Sequence, residues 1–441
     1  MTARVRRAAF VRILAAIVLG SVLALPATSA RAAEAIVREK LPNGLRVIVR
    51  ENPLAPVVAV NLLVDVGSRL ERPETAGLSN FMHAVMVKGT QKRSGARIAE
   101  AITALGGKLS AAGEADYSEI RGTALARFWR ELLGLTAELA LEPRLAADDV
   151  PDELDYLLSR VQRRFDSPGS RAFDDFYAAI YGDHPYALRS LGTRESLARI
   201  DHAAVVRQYR TYYRPERMVL AVSGQVVVRD VVAEVAKLFG GMTVGAASAD
   251  PAPPAPNATP RRLVVTAPAQ QAQILVGGVA PSMDQPDHAA VKVLSTVLGG
   301  GMAGRLFSEL RDRKGLAYTA ASFYDPTRGP GALVLYLGTA PANAARAEEA
   351  LAAEIARIKS ERVSDEELKR AKGYLLGRYA MDRRTNERQA WYLAFYEMSG
   401  VGADFPERYR RAVEAITAAD VQRVAQRYLA TPTTLVLQPA P

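Results

Sequence analysis

A run rich in proline and alanine, residues 246–262 (AASADPAPPAPNATPRR), divides the chain into two stretches of comparable length. It carries no large apolar side chain to bury, so it reads as an extended, semi-rigid linker. The same order of elements recurs on its two sides. In the first half a Pro42-Asn43-Gly44 turn precedes an alternating strand, Leu45 to Val49, and a second apolar strand covers Val57 to Val66. Helical stretches follow at Gly77–Val87 and Ile98–Leu105, the latter ended by Gly106-Gly107. Strands are expected near 108–112 and 117–125, then helices near 128–141, 151–165, 170–181 and 202–213, and a closing strand Met218–Ser223. The second half opens with strands at 263–266 and 273–278, then a helix Ala289–Leu298 with Val291, Leu294 and Leu298 on one face. A helix with Leu306 and Leu310, strands near 317–323 and 331–338, helices at 342–360, from 365 and at 418–429, and a strand Thr434–Leu437 complete it. Strand pairs alternating with helix pairs predict an α+β fold. It comprises two homologous domains, 34–245 and 263–441, each a mostly antiparallel sheet with helices layered on one face. The period is far too long for a solenoid.

The N-terminus has the pattern of an export signal. Arg4, Arg6, Arg7 and Arg12 precede an apolar run from Ile13 to Leu25, and small residues follow through Ala33. This is the basic, apolar and small-residue succession of a cleaved secretory signal, here residues 1–33, and the apolar run is short for a membrane span. The expectation is a periplasmic or secreted protein with no stable span after cleavage. The formal charge of +10 shrinks with it: removing five arginines and no acid leaves 52 basic against 47 acidic residues, a net of about +5. Those charges are interspersed, as in Arg311-Asp312-Arg313, which speaks against a nucleic-acid surface.

Cysteine is absent, which excludes disulfides, thiolate metal sites and a cysteine nucleophile. Any imidazole-based zinc site must draw on four histidines: His83, His184, His202 and His288.

The run Gly77-Leu78-Ser79-Asn80-Phe81-Met82-His83-Ala84-Val85-Met86-Val87-Lys88-Gly89-Thr90 resembles the signature of the insulinase/pitrilysin (inverzincin) peptidases, roughly G-x-A-H-F-L-E-H-M-x-F-K-G-T. Leu41-Pro42-Asn43-Gly44-Leu45, Gly182-Asp183-His184-Pro185-Tyr186, Tyr213-Arg214-Pro215 with Met218-Val219-Leu220, and Leu298-Gly299-Gly300-Gly301-Met302 are similar to further stretches of that family. So are Arg305-Leu306-Phe307 and Leu310-Arg311 through Gly315-Leu316-Ala317-Tyr318. The resemblance spans nearly the whole chain after the signal. It implies the family's two-domain, metallopeptidase-like (LuxS/insulinase-type) fold.

The family chemistry requires H-x-x-E-H on a helix. Two histidines four apart share a face and hold zinc, and the Glu between them is the general base on the zinc-bound water. Aligned on that pattern, the first His is Asn80, the Glu is His83, the second His is Ala84, and the distal Glu ligand falls near Arg160. Ala84 has no donor atom. Asn80 offers a neutral amide oxygen, a poor zinc ligand beside imidazole. Arg160 places a cation where a dication should sit. Glu153, two helical turns before Arg160, is expected to project short of the site. His83 reads as a helix residue filling space, His184 as a turn residue bonded to backbone, and His202 and His288 as exposed residues at helix starts after Asp201 and Asp287. No metal is therefore expected in this chain, and the metal-site positions are vestigial.

The resemblance also implies that Arg311 and Tyr318 match the family's substrate-binding pair, whose guanidinium and phenol can stabilise a developing oxyanion. It further implies a division of labour: a non-catalytic subunit in a heterodimer with a zinc-bearing homologue, lending Arg311 and Tyr318 to the hydrolysis of a peptide substrate. A peptide strand would add at the edge near Gly107–Glu114, where active relatives often carry Asn-Ala and this chain has Ser110-Ala111. Two alternatives stay open, a structural or peptide-binding assembly protein without proteolysis, and an autonomous zinc peptidase with an atypical site.

Overall fold

The computed structural model describes residues 36–245, 250, 252–325 and 327–439. The expected signal segment lies outside the described residues, as do residues 246–249 and 251 of the linker. Eleven strands among them form two sheets. The first half supplies β1 (Ile36–Lys40), β2 (Arg46–Glu51), β3 (Val57–Val64), β4 (Lys108–Gly113), β5 (Ser118–Leu125) and β6 (Met218–Gly224), in the order β1-β2-β6-β3-β5-β4. The second supplies β7 (Arg262–Thr266), β8 (Ala272–Ala280), β9 (Thr319–Phe323), β10 (Gly331–Thr339) and β11 (Thr433–Gln438), in the order β7-β11-β8-β10-β9. β3–β5, β3–β6, β4–β5, β8–β10, β8–β11 and β9–β10 pair antiparallel, and β2–β6 and β7–β11 pair parallel. The two halves thus share one plan: the closing strand of each inserts in parallel beside an opening strand.

Helices of the first half are α1 (Leu78–Met86), α2 (Gly95–Ala104), α3 (Trp129–Leu141), α4 (Asp149–Phe165), α5 (Pro168–Tyr181), α6 (His202–Tyr212) and α7 (Val228–Phe239). Those of the second are α8 (His288–Gly299), α9 (Ala344–Ser360), α10 (Asp365–Asp382), α11 (Asn386–Met398), α12 (Phe405–Ala415) and α13 (Ala418–Tyr428), with a π-helical segment at Leu306–Arg313. Among these, β1, α7, α11 and α12 add to the elements expected from the sequence. No helix among the described residues is long and apolar enough to cross a membrane.

Successive side chains of a strand point to opposite faces of its sheet. In the first sheet Val47, Val49, Val58, Val60, Leu62, Leu220 and Val222 face one core, filled by helices of the same half through Phe81, Met82, Leu132 and Val231. The alternate positions Ile48, Ala59, Leu63, Val219 and Ala221 face the other way and join the core of the second half. There α11 packs across β3 and β6. Its start is pinned by Asn386, whose Nδ2–H donates to Val57 O at 3.2 Å and whose Oδ1 accepts from Asn52 Nδ2 at 2.9 Å.

The second sheet mirrors this arrangement. Ile274, Val276, Leu333, Leu335 and Leu337 face helices of their own half. Leu275, Val334, Leu435 and Leu437 face Ala172, Phe176, Ile180 and Tyr181 of α5, which belongs to the first half. Each sheet therefore has its own helices on one face, as the alternating plan predicts, and a helix of the other half on its second face.

Phe176 is fully buried in this exchanged layer. Phe176→Ala is expected to cost about 3–5 kcal/mol, read as a lowered midpoint in urea. Because each half completes the other's core, unfolding should remain a single transition rather than split into two.

Candidate functional site

The start of α1 is held from three sides. Glu71 accepts the Gly77 and Ser79 backbone N–H groups, one on each carboxylate oxygen, both at 2.7 Å. These are donors with no partner inside the helix, and a carboxylate there also suits the helix dipole. Gly77 itself sits at φ 92°, and a Cβ on it would lie 2.8 Å from Gly192 Cα and Leu191 O. On the other side a Cβ on Gly113 of β4 would come within 2.8 Å of Asn80 N. Only glycine lets the helix and the strand approach so closely.

This packing sets Asn80 and Ala84, four apart and on one face of α1, over a cleft of about 450 Å³. Its other walls are Ala111, Ala112 and Glu114 of the β4 edge and Glu153, Tyr156 and Arg160 of α4. Asn80 donates from Nδ2 to Gly113 O at 3.3 Å, so its amide is spent partly on the strand. Arg160 lies 6.0 Å above the Tyr156 ring and has no carboxylate partner among the described residues.

Glu153 corrects the sequence expectation. It does not fall short of the cleft but lines it, buried and ion-paired with Lys88 at the end of α1. Residues 153, 156 and 160 are three and four apart and share one face of α4, and that face runs along the whole cleft.

His83 turns away from the cleft. It is fully buried between α1 and Tyr213. Its Nδ1 lies 2.6 Å from Ser79 O and its Nε2 2.6 Å from Tyr213 Oη. A carbonyl can only accept, so Nδ1 carries the proton and Nε2 accepts from the phenol. Burial pushes this imidazole down to about 4.

The other histidines are scattered. His184 is buried and its Nδ1 accepts from Tyr186 N at 3.1 Å, a local turn contact. His202 Nε2–H donates to Leu145 O at 2.7 Å, and Asp201 caps α6 by accepting from Ala204 N. His288 is a second correction: it is buried, not exposed, and donates from Nδ1 to Tyr324 Oη at 2.9 Å. Burial, with Lys292 nearby, pushes it down to about 3. Asp287 does not cap α8 but receives Tyr428 Oη–H at 3.0 Å and pairs with Arg423 and Arg427.

Does the cleft suit zinc? Its polar groups are two carboxylates, Glu153 already held by Lys88 and Glu114, with one neutral amide and an unpaired guanidinium, and among the described residues no three His, Asp or Glu side chains gather together. Zinc needs anionic or imidazole ligands in a tetrahedral set, so this donor set does not fit it.

Arg311 and Tyr318 lie elsewhere. Arg311 is on the last turn of the π-helical segment, exposed, with its guanidinium 4.5 Å above the Phe307 ring. Tyr318 directly precedes the edge strand β9, its N–H bonded to Gly338 O at 2.8 Å and its side chain 59% exposed. Both present donors to solvent, and neither lines the cleft of α1.

Residues 46–194 match the family described as Insulinase (Peptidase family M16), and residues 199–375 the one described as Peptidase M16 inactive domain. An uncharacterized zinc protease of Mycobacterium leprae is 34% identical over 345 residues, 78% of each chain. One from Mycobacterium tuberculosis is 32% identical over 399 residues, covering 89% of this chain and 90% of the relative. Among solved structures, a protease from Helicobacter pylori superposes with a TM-score of 0.86 at 22% identity, over 92% of this chain and all of the other. A peptidase M16 inactive domain from Pseudomonas fluorescens superposes at 0.84, also at 22% identity, over 92% and 98%.

The two depressed imidazoles predict acid sensitivity. A group whose folded pKa lies below its unfolded value of about 6.5 contributes stability that is present above 6.5 and is lost as pH falls through the folded value. For His83 the loss between pH 6.5 and 4 is on the order of 3 kcal/mol. His83→Gln, which cannot titrate, should flatten the fall of unfolding free energy over that window, measured by urea melts at stepped pH.

Proposed function

The chain belongs to the insulinase (M16) peptidase family, and from that premise we propose that it is an exported, non-zinc accessory subunit. Its partner is a zinc-bearing homologue, and their common substrate is a peptide. The observation that carries the reading is the cleft of α1. Where the family pattern asks for three ligands, this chain has an amide, a methyl and a guanidinium, Asn80, Ala84 and Arg160, brought together around one cavity. The fold around the lost site is kept in full, including the glycine contacts that position α1. Such a chain can still bind peptide and complete a site belonging to another subunit.

The pair that completes it is Arg311 and Tyr318. Both are exposed on the second half and free of carboxylate partners among the described residues, as groups reserved for a substrate oxyanion should be. The sheet edge β4, hydrogen-bonded on one side only, supports the peptide-binding part of the reading. Export rests on the basic and apolar pattern of residues 1–33.

The names of the mycobacterial relatives favour a second reading, an autonomous zinc peptidase. The two separate cleanly. The purified chain should hold far less than one zinc per molecule; stoichiometric zinc that disappears in Asn80→Ala decides for the second reading. With a co-purified homologue, the complex should cleave peptides. Arg311→Ala should lower its turnover by about 10²-fold or more, with the complex intact on gel filtration. Unchanged turnover in both Arg311→Ala and Tyr318→Phe would remove the trans-acting role.

A further inference from the structure

A second cavity lies beyond Arg160 along α4. One turn further along the helix, Arg164 enters the wall of this cavity, whose volume is about 270 Å³. Across from α4 the two cavities are neighbours as well, since Glu114 lines the first and Ala115 the second. The second cavity lies where the two halves meet, and four rings line it: Tyr177 and Tyr181 of α5, Tyr186, and Phe323 at the end of the edge strand β9. Its volume is below the range of drug-sized pockets and suits one side chain.

The charges in its wall are largely matched to one another. Arg164 grips Asp174 through Nε at 2.9 Å and Nη2 at 2.7 Å, and Arg189 approaches Asp174 and Asp175 at 3.3 and 3.6 Å. Tyr181 donates to Pro330 O at 2.9 Å and Tyr186 to Asp116. Among the described residues neither the Tyr177 hydroxyl nor the Asp325 carboxylate has a hydrogen-bond partner, and the Ser68 and Ser190 hydroxyls have none either.

We propose that this cavity is the anchor subsite for an aromatic side chain, tyrosine above all, of an extended peptide laid along the β4 edge. The proposal rests on the reading of this chain as a peptide-binding subunit and names what that peptide must carry. Ring walls favour a ring in edge-to-face or offset contact. The free Tyr177 hydroxyl and Asp325 carboxylate offer a donor and an acceptor to a phenol at the ring's far end. One helical turn is about 6 Å between the Arg160 and Arg164 levels, or about two residues of extended strand. The aromatic residue therefore falls about two positions from the one held beside Asn80.

The test uses the full chain and fluorescein-labelled nonapeptides of Ala, Ser and Thr with Tyr, Phe, Lys or Ala at the central position, read by anisotropy. Tyr and Phe peptides should bind at least tenfold more tightly than the Ala and Lys peptides. Ala332→Phe, which fills the cavity from β10, should abolish that preference while leaving weak binding of the Ala peptide unchanged; Leu188→Phe serves if the first variant melts early. Equal affinity for all four peptides, no binding of any, or a preference that survives both filling variants overturns the proposal. Turnover of the reconstituted pair is read alongside. A pair that loses activity in Arg311→Ala yet ignores the filling variants loses the anchor subsite and keeps the subunit role, and a pair indifferent to Arg311→Ala loses the role itself.

Discussion

Two-sided burial of both sheets is the constraint on which the rest of the molecule depends. A twisted sheet whose strands are apolar on both faces needs cover on both. In each half the neighbouring helices cover one face, and the other would be left as an exposed apolar layer. The chain resolves this by exchange: α11 closes the first sheet and α5 closes the second. The halves are thereby interlocked through their cores, not tethered by the linker alone. Ion pairs such as Arg328 with Asp65 add to the junction, but apolar layers set it.

That interlocking also makes the candidate site possible. The aromatic cavity exists because α5 lies over a foreign sheet, so rings from both halves meet around it. The α1 cleft depends on close backbone approach at Gly77 and Gly113 and on the Glu71 carboxylate at the helix start. None of these groups would touch a metal or a substrate. They place Asn80 and Ala84 where ligands belong in the family pattern, in a cleft whose donor set does not fit zinc.

The histidines show where reading residues one at a time fails. Asp287-His288 has the look of a capped helix start, yet His288 is buried beside Tyr324 while Asp287 is drawn to Arg423, Arg427 and Tyr428. The aspartate's partners come from α13, more than 130 residues away, so no local pattern could name them. Glu153 failed for a different reason. Its separation from Arg160 was legible, but the length of cleft that one face of α4 spans was not.

Periodicity, turn residues and the broken H-x-x-E-H pattern are local, and local information determined most of the strands, the long helices, the repeated plan and the place of Asn80 and Ala84 on one face of α1. One local signal went further than it seemed. Val57 to Val64 lacks the polar alternation of a half-exposed strand, and its Cβ directions alone dictate two buried faces. What covers the second face was not determined locally, because any amphipathic or apolar helix satisfies a flat apolar layer equally well. Only the tertiary structure decided that the cover comes from the other half, that Glu153 meets Lys88, and that Tyr177 and Phe323 share a cavity. Each of these joins side chains remote in sequence, and their meeting is set by how the two sheets close on one another.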